Sequence, residues 1–309
     1  MAFRGTAAGR SCWPAVSFIL AGRPDRPPSD LQRASPWPRT LREWRQSGKP
    51  QGEWLLISMK YAALFLTLGP ALVIEAVACR GLYWLLVWPG ISLTLVGFAY
   101  LRLGPAVFGK RADGKMAWYS FVPLLPYLLA AWAVWHAARI LGREDCYNQA
   151  APGLFVGRRP RSHELPSEVS LVVDLAAEFI ECRAVRTGRR YLSVPMLDTG
   201  ILDDDAFLAL VREVADWPGP VYIHCAQGHG RTGTLAAGVL LAKGHCDSVD
   251  AAIARLRAAR PRLALGKAQL QFVRRIGDQI LPVQKSAGTP PVADSAAGGL
   301  TVRDEQAQR

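Results

Sequence analysis

The chain has 309 residues, half of them hydrophobic, with 37 Lys or Arg against 25 Asp or Glu and a formal net charge of +12. That length admits a domain of about 150 residues plus a second part, and the composition excludes a wholly disordered, collagen-like or disulfide-framework protein. Residues 1–50 hold nine basic and three acidic side chains and residues 51–138 six and three, so most of the excess lies in or beside the most apolar part of the chain. Anionic lipid headgroups suit that placement better than nucleic acid, which calls for a basic face on a folded module. A solvated basic tail is the simpler reading of the same charge.

In chain order, residues 1–53 read as a disordered basic extension rich in Arg, Pro, Ser and Gly. Pro24, Pro27, Pro28, Pro36 and Pro38 would break the amphipathic helix that an organelle transit peptide needs. An over-extended start is the alternative, since Met59 opens the first apolar run.

Residues 54–141 read as an all-helical membrane region with two or three transmembrane helices. Residues 61–79 contain one charged side chain, Glu75; residues 82–101 contain none; residues 116–138 have only His136 as a titratable basic group. Each stretch is near the roughly 20 residues that cross a bilayer core of about 30 Å. Trp54, Trp84, Trp88, Trp118, Trp132 and Trp135 fall in this region, several near segment ends where indoles prefer the headgroup layer. Glu75 lies four residues from a segment end and reads as an interfacial side chain reaching toward water. Three full spans would put the C-terminal domain outside by the positive-inside rule. Two spans and a re-entrant or interfacial third segment keep it in the cytoplasm, and Pro123 and Pro126 favour such a broken segment.

From residue 146 to 282 the pattern changes to a soluble α/β domain. Residues 153–157, 169–175, 191–195 and 221–225 have strand character, and residues 221–225 (VYIHC) are the most core-like. Phe207, Leu210, Val211 and Val214 recur at helical spacing behind the acidic start Asp203, Asp204, Asp205; Val249, Ala252, Ile253 and Leu256 repeat the pattern. The alternation predicts a mainly parallel central sheet flanked by helices on both faces. Residues 286–309 read as a disordered tail.

Six cysteines show no C-x-x-C pair and no regular spacing, so neither a zinc site nor a disulfide framework is indicated. Only Cys225 has a context that implies chemistry. It ends the strand in VYIHCAQGHGRTG, residues 221–233, where a core strand runs through a glycine-rich turn into an apolar helix. Gly228 and Gly230 let successive N–H groups converge, and the helix opening near Arg231 adds its positive end, which makes a bowl for a tetrahedral dianion. The same dipoles stabilise a thiolate. Arg231 offers a fork of donors for phosphoryl oxygens that lysine cannot reproduce. Thr232 is placed to hydrogen-bond the sulfur as it leaves phosphorus, and His224 to order the loop; Ala226, Gln227 and His229 complete the phosphate-binding loop.

Glycine-rich strand-to-helix turns are common, but the full string H-C-x-x-G-x-G-R-T-G resembles the signature of the cysteine-based phosphatases, the protein tyrosine phosphatase superfamily. The likeness is closest to the dual-specificity and phosphatase-and-tensin-like branch, and it covers residues 146–282. It implies a phosphocysteine intermediate on Cys225 with no metal and no cofactor. It also implies a general acid from a loop some thirty residues earlier, a place filled by Asp198 in VPMLDTG, residues 194–200. Asp203, Asp204 and Asp205 compete for that role, although a helix N-terminal charge cluster accounts for them. Gln269 looks like the family's water-positioning residue, with an ordinary exposed helix position as the alternative. Asp174 ends a strand and suits packing or loop ordering.

The resemblance implies a phosphomonoesterase acting on a phosphorylated protein, with a phosphoinositide or glycerophospholipid phosphatase as the alternative, and the apolar stretches before it imply that the enzyme is membrane-anchored. A catalytically silent phosphate-binding adaptor is a further alternative, disfavoured because Cys225 and Asp198 are both present. Ala226, Gln227 and His229 stand where relatives that attack inositol polyphosphates often carry lysine, which argues for a simple monoester. A low-pKa thiol survives best in a reducing compartment, so the catalytic domain is expected in the cytoplasm.

Overall fold

A computed structural model of the chain describes residues 53–280, with side chains from Ser58 onward. The N-terminal extension with its prolines and the C-terminal tail lie outside the described residues. The first apolar stretch is a single helix, α1 (Glu53–Cys79), which continues through Pro70. The second is not one regular helix. A 3-10 segment (Gly81–Leu86) leads into α2 (Val87–Phe98), then a π turn (Ala99–Leu103) and a second 3-10 segment (Gly104–Phe108). Pro89 lacks an amide hydrogen and sits in the first turn of α2, where the regular ladder begins. α1 and α2 pack as an antiparallel pair whose backbones nearly touch: a Cβ on Gly90 would lie 2.7 Å from Val73 Cγ2 and 2.9 Å from the Gly69 carbonyl. Small residues at such contacts let apolar helices associate without polar side chains.

The third stretch is α3 (Trp118–Leu141), an unbroken helix despite Pro123 and Pro126. The expectation that these prolines interrupt it is therefore corrected: one continuous helix carries both. Among the described residues, three helical segments (Ser58–Cys79, Gly81–Phe108 and Trp118–Leu141) are long and apolar enough to cross a membrane.

The second half is an α/β domain with a mixed five-stranded sheet. Its strands are β1 (Tyr147–Ala151), β2 (Leu154–Arg158), β3 (Leu171–Ala176), β4 (Arg190–Met196) and β5 (Val221–Cys225), in the order β1-β2-β5-β3-β4. β2, β5, β3 and β4 run parallel, and β1 joins β2 antiparallel through a bulge between Gln149 and Ala151. β1, with the polar sequence YNQAA, lacks the apolar alternation that marks strands, which is why the sequence did not reveal it. β5 lies at the centre with every residue buried, as a strand covered on both faces requires.

The two faces of the sheet are closed differently. On one, Val221, Ile223 and Cys225 of β5 and Leu171, Val173 and Leu175 of β3 meet α5 (Asp204–Ala215), α6 (Gly230–Ala242), α7 (Val249–Ala259) and α8 (Lys267–Ile280) in a single apolar core. Asp203 caps α5 by accepting the Ala206 amide at 3.0 Å, and Ser248 caps α7 through Ala251 at 3.2 Å. The other face has only the single turn α4 (Arg183–Arg186), a small cluster around Phe155, Val172 and Tyr222, and a group of buried charges. The expected helical layer on that face is absent among the described residues. In its place the loop between α2 and α3 docks: Lys110 reaches Asp174 at 2.6 Å with both side chains fully buried, and the Glu181 amide donates to the Gly114 carbonyl at 2.9 Å.

Candidate active site

Cys225 leaves β5 at its C-terminal end, 3 % exposed, and the chain then curls through Ala226–Gln227–Gly228–His229 into α6. The Gly228 amide donates to the Cys225 Sγ at 3.2 Å. Gly228 has φ +77, and a Cβ there would strike the Gly157 backbone, so this curl against β2 requires glycine on both steric and conformational grounds. The loop is also tied from outside. The Ala226 carbonyl accepts from the Arg159 amide and from Trp135 Nε1 of α3, both at 3.1 Å, and the Gln227 carbonyl accepts from Arg260 at 3.2 Å.

Arg231, in the first turn of α6, is buried and held from three sides. Its Nη1 and Nη2 form a fork on Glu178 at 3.0 and 2.7 Å, and Nη1 also donates to the Met196 carbonyl at 2.8 Å. Burial works against its charge, but Glu178, Cys225 and Asp198 outweigh this and hold the guanidinium protonated far beyond its ordinary range. The fork expected to face phosphate is thus partly spent on Glu178. Arg231 Nε has no hydrogen-bond partner among the described residues. Nε is thus the guanidinium donor that neither Glu178 nor the Met196 carbonyl engages. Glu178 follows the end of β3 by two residues, and an isolated Glu after a strand gives no pattern that sequence reasoning could have used.

Asp198 lies two residues beyond β4, with its side chain 67 % exposed and Oδ1 3.3 Å from Arg231 Nη2. Asp198 thus stands at the mouth of the bowl, on a turn with Thr199 at φ +60. Gln269 is buried and not an exposed helix residue. Its Oε1 accepts the Gly266 amide at 3.0 Å, its Nε2 donates to the Gly200 carbonyl at 3.3 Å, and its side chain abuts Gly230. It therefore joins the turn after Asp198 to the phosphate loop. Thr232 Oγ1 is fully buried and makes no hydrogen bond to the sulfur or to any other described residue. His229 Nε2 lies 2.9 Å from Glu144, which also meets Arg260 at 3.2 Å, so this rim histidine is held by the segment leading into β1.

Beneath the loop, the register of β3 on β5 sets Asp174 beside His224 on the sparsely covered face. His224 is fully buried, with Nδ1 3.3 Å from the Cys225 carbonyl and its ring stacked on Tyr222 at 5.5 Å. Asp174 accepts from Lys110, from the Tyr191 hydroxyl at 2.6 Å and from the Ala176 amide at 3.0 Å. Burial alone would raise its pKa; Lys110 overturns that and holds the carboxyl below its usual range. Ligand atoms of Asp174, Glu181 and His224 lie within 4.8 Å of one another. Lys110 on Asp174 and Arg159 Nε at 3.3 Å from Glu181 already match the two carboxylates, so this is a charge-compensated floor for the phosphate loop. Sequence reasoning missed Lys110, Glu181, Arg159 and Trp135, because their roles arise from pairing between distant segments, across 22 residues for Arg159 with Glu181, 64 for Lys110 with Asp174 and 91 for Trp135 with Ala226.

The remaining described cysteines form no disulfide. Burial pushes the Cys146 thiol up to about 12, so it stays protonated and unreactive at neutral pH.

Residues 162–280 match the family model described as the Swiss Army Knife protein, DSP-PTPase phosphatase domain. None of the curated proteins matches the chain. Among solved structures, PTPMT1 in complex with PI(5)P is 20 % identical and covers 44 % of this chain and 97 % of its own, with a TM-score of 0.40. Tk-PTP in the active form is 21 % identical over 44 % of this chain and 98 % of its own (TM-score 0.40), and human DUSP28 18 % identical over 43 % and 98 % (TM-score 0.36). Residues 162–280 are thus similar to a phosphatase domain of the DSP-PTPase type, and they follow helices long and apolar enough to span a membrane.

Proposed function

We propose that the chain is a membrane-anchored phosphomonoesterase of the dual-specificity and phosphatase-and-tensin-like branch, working through a phosphocysteine on Cys225. The observation that carries this reading is the bowl itself: a buried sulfur receives an amide hydrogen bond at 3.2 Å, and a buried arginine stands in the helix turn that follows. The Cys225 thiolate attacks phosphorus, an S–P bond forms and the P–O ester bond breaks. Asp198 gives its proton to the departing alkoxide. Water then attacks phosphorus, the S–P bond breaks, and inorganic phosphate leaves the regenerated thiolate. The loop amides and the Nε–Nη2 edge of Arg231 hold the phosphoryl oxygens throughout, where charge grows in the transition state. Gln269 orients the water, Thr232 donates to the sulfur as it departs, and His224 fixes the loop. No cofactor takes part in these steps.

The reading includes a location. Gly114 is hydrogen-bonded to Glu181 of the catalytic domain only four residues before α3 starts, a reach of at most ~14 Å at ~3.6 Å per residue. Glu144, three residues after α3 ends, meets Arg260, and Trp135 within α3 bonds the phosphate loop. That reach falls well short of a bilayer core of about 30 Å, so a helix tethered at both ends to one water-soluble domain does not place those ends on opposite sides of a membrane. α3 is then the interfacial or re-entrant segment, and α1 with the 81–108 segment forms a two-span hairpin. Lys60, Arg102, Lys110, Arg111 and Lys115 lie on the domain's side of that hairpin and Arg80 at its far turn, a charge bias that supports a cytoplasmic catalytic domain.

Two measurements test this. Full-length protein in detergent should hydrolyse p-nitrophenyl phosphate in the presence of a metal chelator, and Cys225→Ser should lower turnover by ~10⁴-fold or more; a loss below tenfold would remove the nucleophile. In intact cells a membrane-impermeant maleimide should label Cys79 and leave an Asp113→Cys thiol unlabelled, and the reverse pattern would invert the topology.

A further inference from the structure

We propose that the ester cleaved here is the phosphomonoester headgroup of a glycerophospholipid, presented to Cys225 from the bilayer surface along α3. The proposal rests on the phosphomonoesterase reading and adds the class of substrate. Three pieces of the bowl touch the membrane region. Ala226, next to the nucleophile, packs with Trp135 and gives that indole its carbonyl. Leu197, next to Asp198, and Ala177, next to Glu178, belong to one buried apolar cluster with Tyr100, Leu124 and Leu128 of the apolar helices. The acid turn, the arginine's partner and the phosphate loop are therefore all seated on the segments that contact lipid.

The opposite side of α3 is apolar and uncovered along its length: Val122, Leu129, Val134 and Ile140 are 45–69 % exposed. A helix with its side chains is about 10–12 Å across, so the phosphate loop lies one helix diameter from the apolar phase that would cover those residues. The headgroup layer, at roughly 5–8 Å per leaflet, reaches toward that same depth. A phosphate anchored on glycerol in the bilayer meets the sulfur without leaving the membrane.

Charge decides which headgroup. Arg231 is the one permanent cation of the loop, Ala226 and Gln227 carry none, and His229 is occupied by Glu144. One cation with a ring of amides matches a single dianionic phosphate, not a polyphosphorylated ring. The transfer balances without a co-reactant other than water: P–O breaks, the glyceryl oxygen takes the Asp198 proton, and water later releases phosphate from sulfur.

The test uses the full chain in phosphatidylcholine vesicles, with p-nitrophenyl phosphate turnover measured in the same preparation. Phosphate release is compared for long-chain phosphatidic acid and phosphatidylglycerophosphate in those vesicles, for short-chain water-soluble phosphatidic acid, and for a tyrosine-phosphorylated peptide. One of the vesicle-borne lipids should exceed both the peptide and the short-chain ester by at least ~10-fold in kcat/KM, the gain expected when enzyme and substrate share a surface. A peptide hydrolysed as well as either lipid, with p-nitrophenyl phosphate turned over normally, overturns the lipid assignment. Short-chain ester matching the long-chain lipids overturns delivery from the bilayer. Failure on every ester, p-nitrophenyl phosphate included, sinks the phosphomonoesterase reading itself.

Discussion

The phosphate loop and the shell that holds it are built on opposite principles. The loop is one run of thirteen residues, 221–233, in which strand, turn and helix follow from local sequence. Its supports come from far along the chain: Trp135 is 91 residues from the carbonyl it binds, Lys110 is 64 from Asp174, and Glu178 is 53 from Arg231. The chemistry is local, and the positioning of that chemistry is assembled from elsewhere, partly from the membrane region. Damage to the loop should therefore remove turnover from a folded protein, whereas damage to the shell should first cost stability.

The contrast is sharpest at Arg231. Arg231→Lys keeps a charge and loses the planar edge that meets phosphate, so kcat/KM for p-nitrophenyl phosphate should fall by ~10²–10³-fold with the melting temperature little changed. Equal loss of stability and activity would move Arg231 into the shell. Lys110→Met should do the reverse. It leaves Asp174 charged and buried without its partner, a cost of about 3–5 kcal/mol in denaturant unfolding, and Lys110→Met/Asp174→Asn should recover much of it. No recovery in the double variant would mean that Lys110 acts through packing alone.

Asp198→Asn tests the exposed wall of the bowl. It should slow phenyl phosphate by about 10²-fold and an ester with a better leaving group much less, because only the poor leaving group needs the proton. Equal slowing would place the acid elsewhere. The mildest effect is on acid stability. Burial raises the Glu164 carboxyl, but the Arg158 fork and the Arg161 amide more than reverse this and bring it to about 2, against an ordinary 4.5; Asp174 is shifted the same way by Lys110. A depressed carboxyl pKa stabilises the fold above the unfolded value and loses that stabilisation as pH falls. Unfolding free energy should hold down to about pH 4.5 and then decline toward pH 2, and the decline should be shallower in Lys110→Met/Asp174→Asn.

Much of this was legible in the sequence. Strand β5, the helix after it and the amphipathic α5 follow from periodicity and from the capping Asp203. Cys225, Arg231 and Asp198 were placed by motif and order along the chain, and they lie at one mouth. Three kinds of feature stayed hidden. The edge strand β1 is too polar to show a period, and the second apolar stretch passes through 3-10 and π turns on either side of Val87–Phe98 where hydropathy alone reads a uniform run. The sheet's second face is closed by buried ion pairs and a membrane-proximal loop, a solution that leaves no apolar helix to find. Gln269 read equally well as a surface residue, since its burial depends on Gly230 and Gly200 from two other loops.

The central claim is that phosphorus passes through the sulfur of Cys225. Full-length Asp198→Ala protein should be mixed with ³²P-labelled p-nitrophenyl phosphate, quenched in acid within one turnover and digested, and the labelled peptide sequenced. The account predicts label on the peptide containing Cys225, stable to acid, released by iodine as thiophosphates are, and absent from Cys225→Ser. Turnover accompanied by no labelled peptide, or by label on another residue, would contradict it.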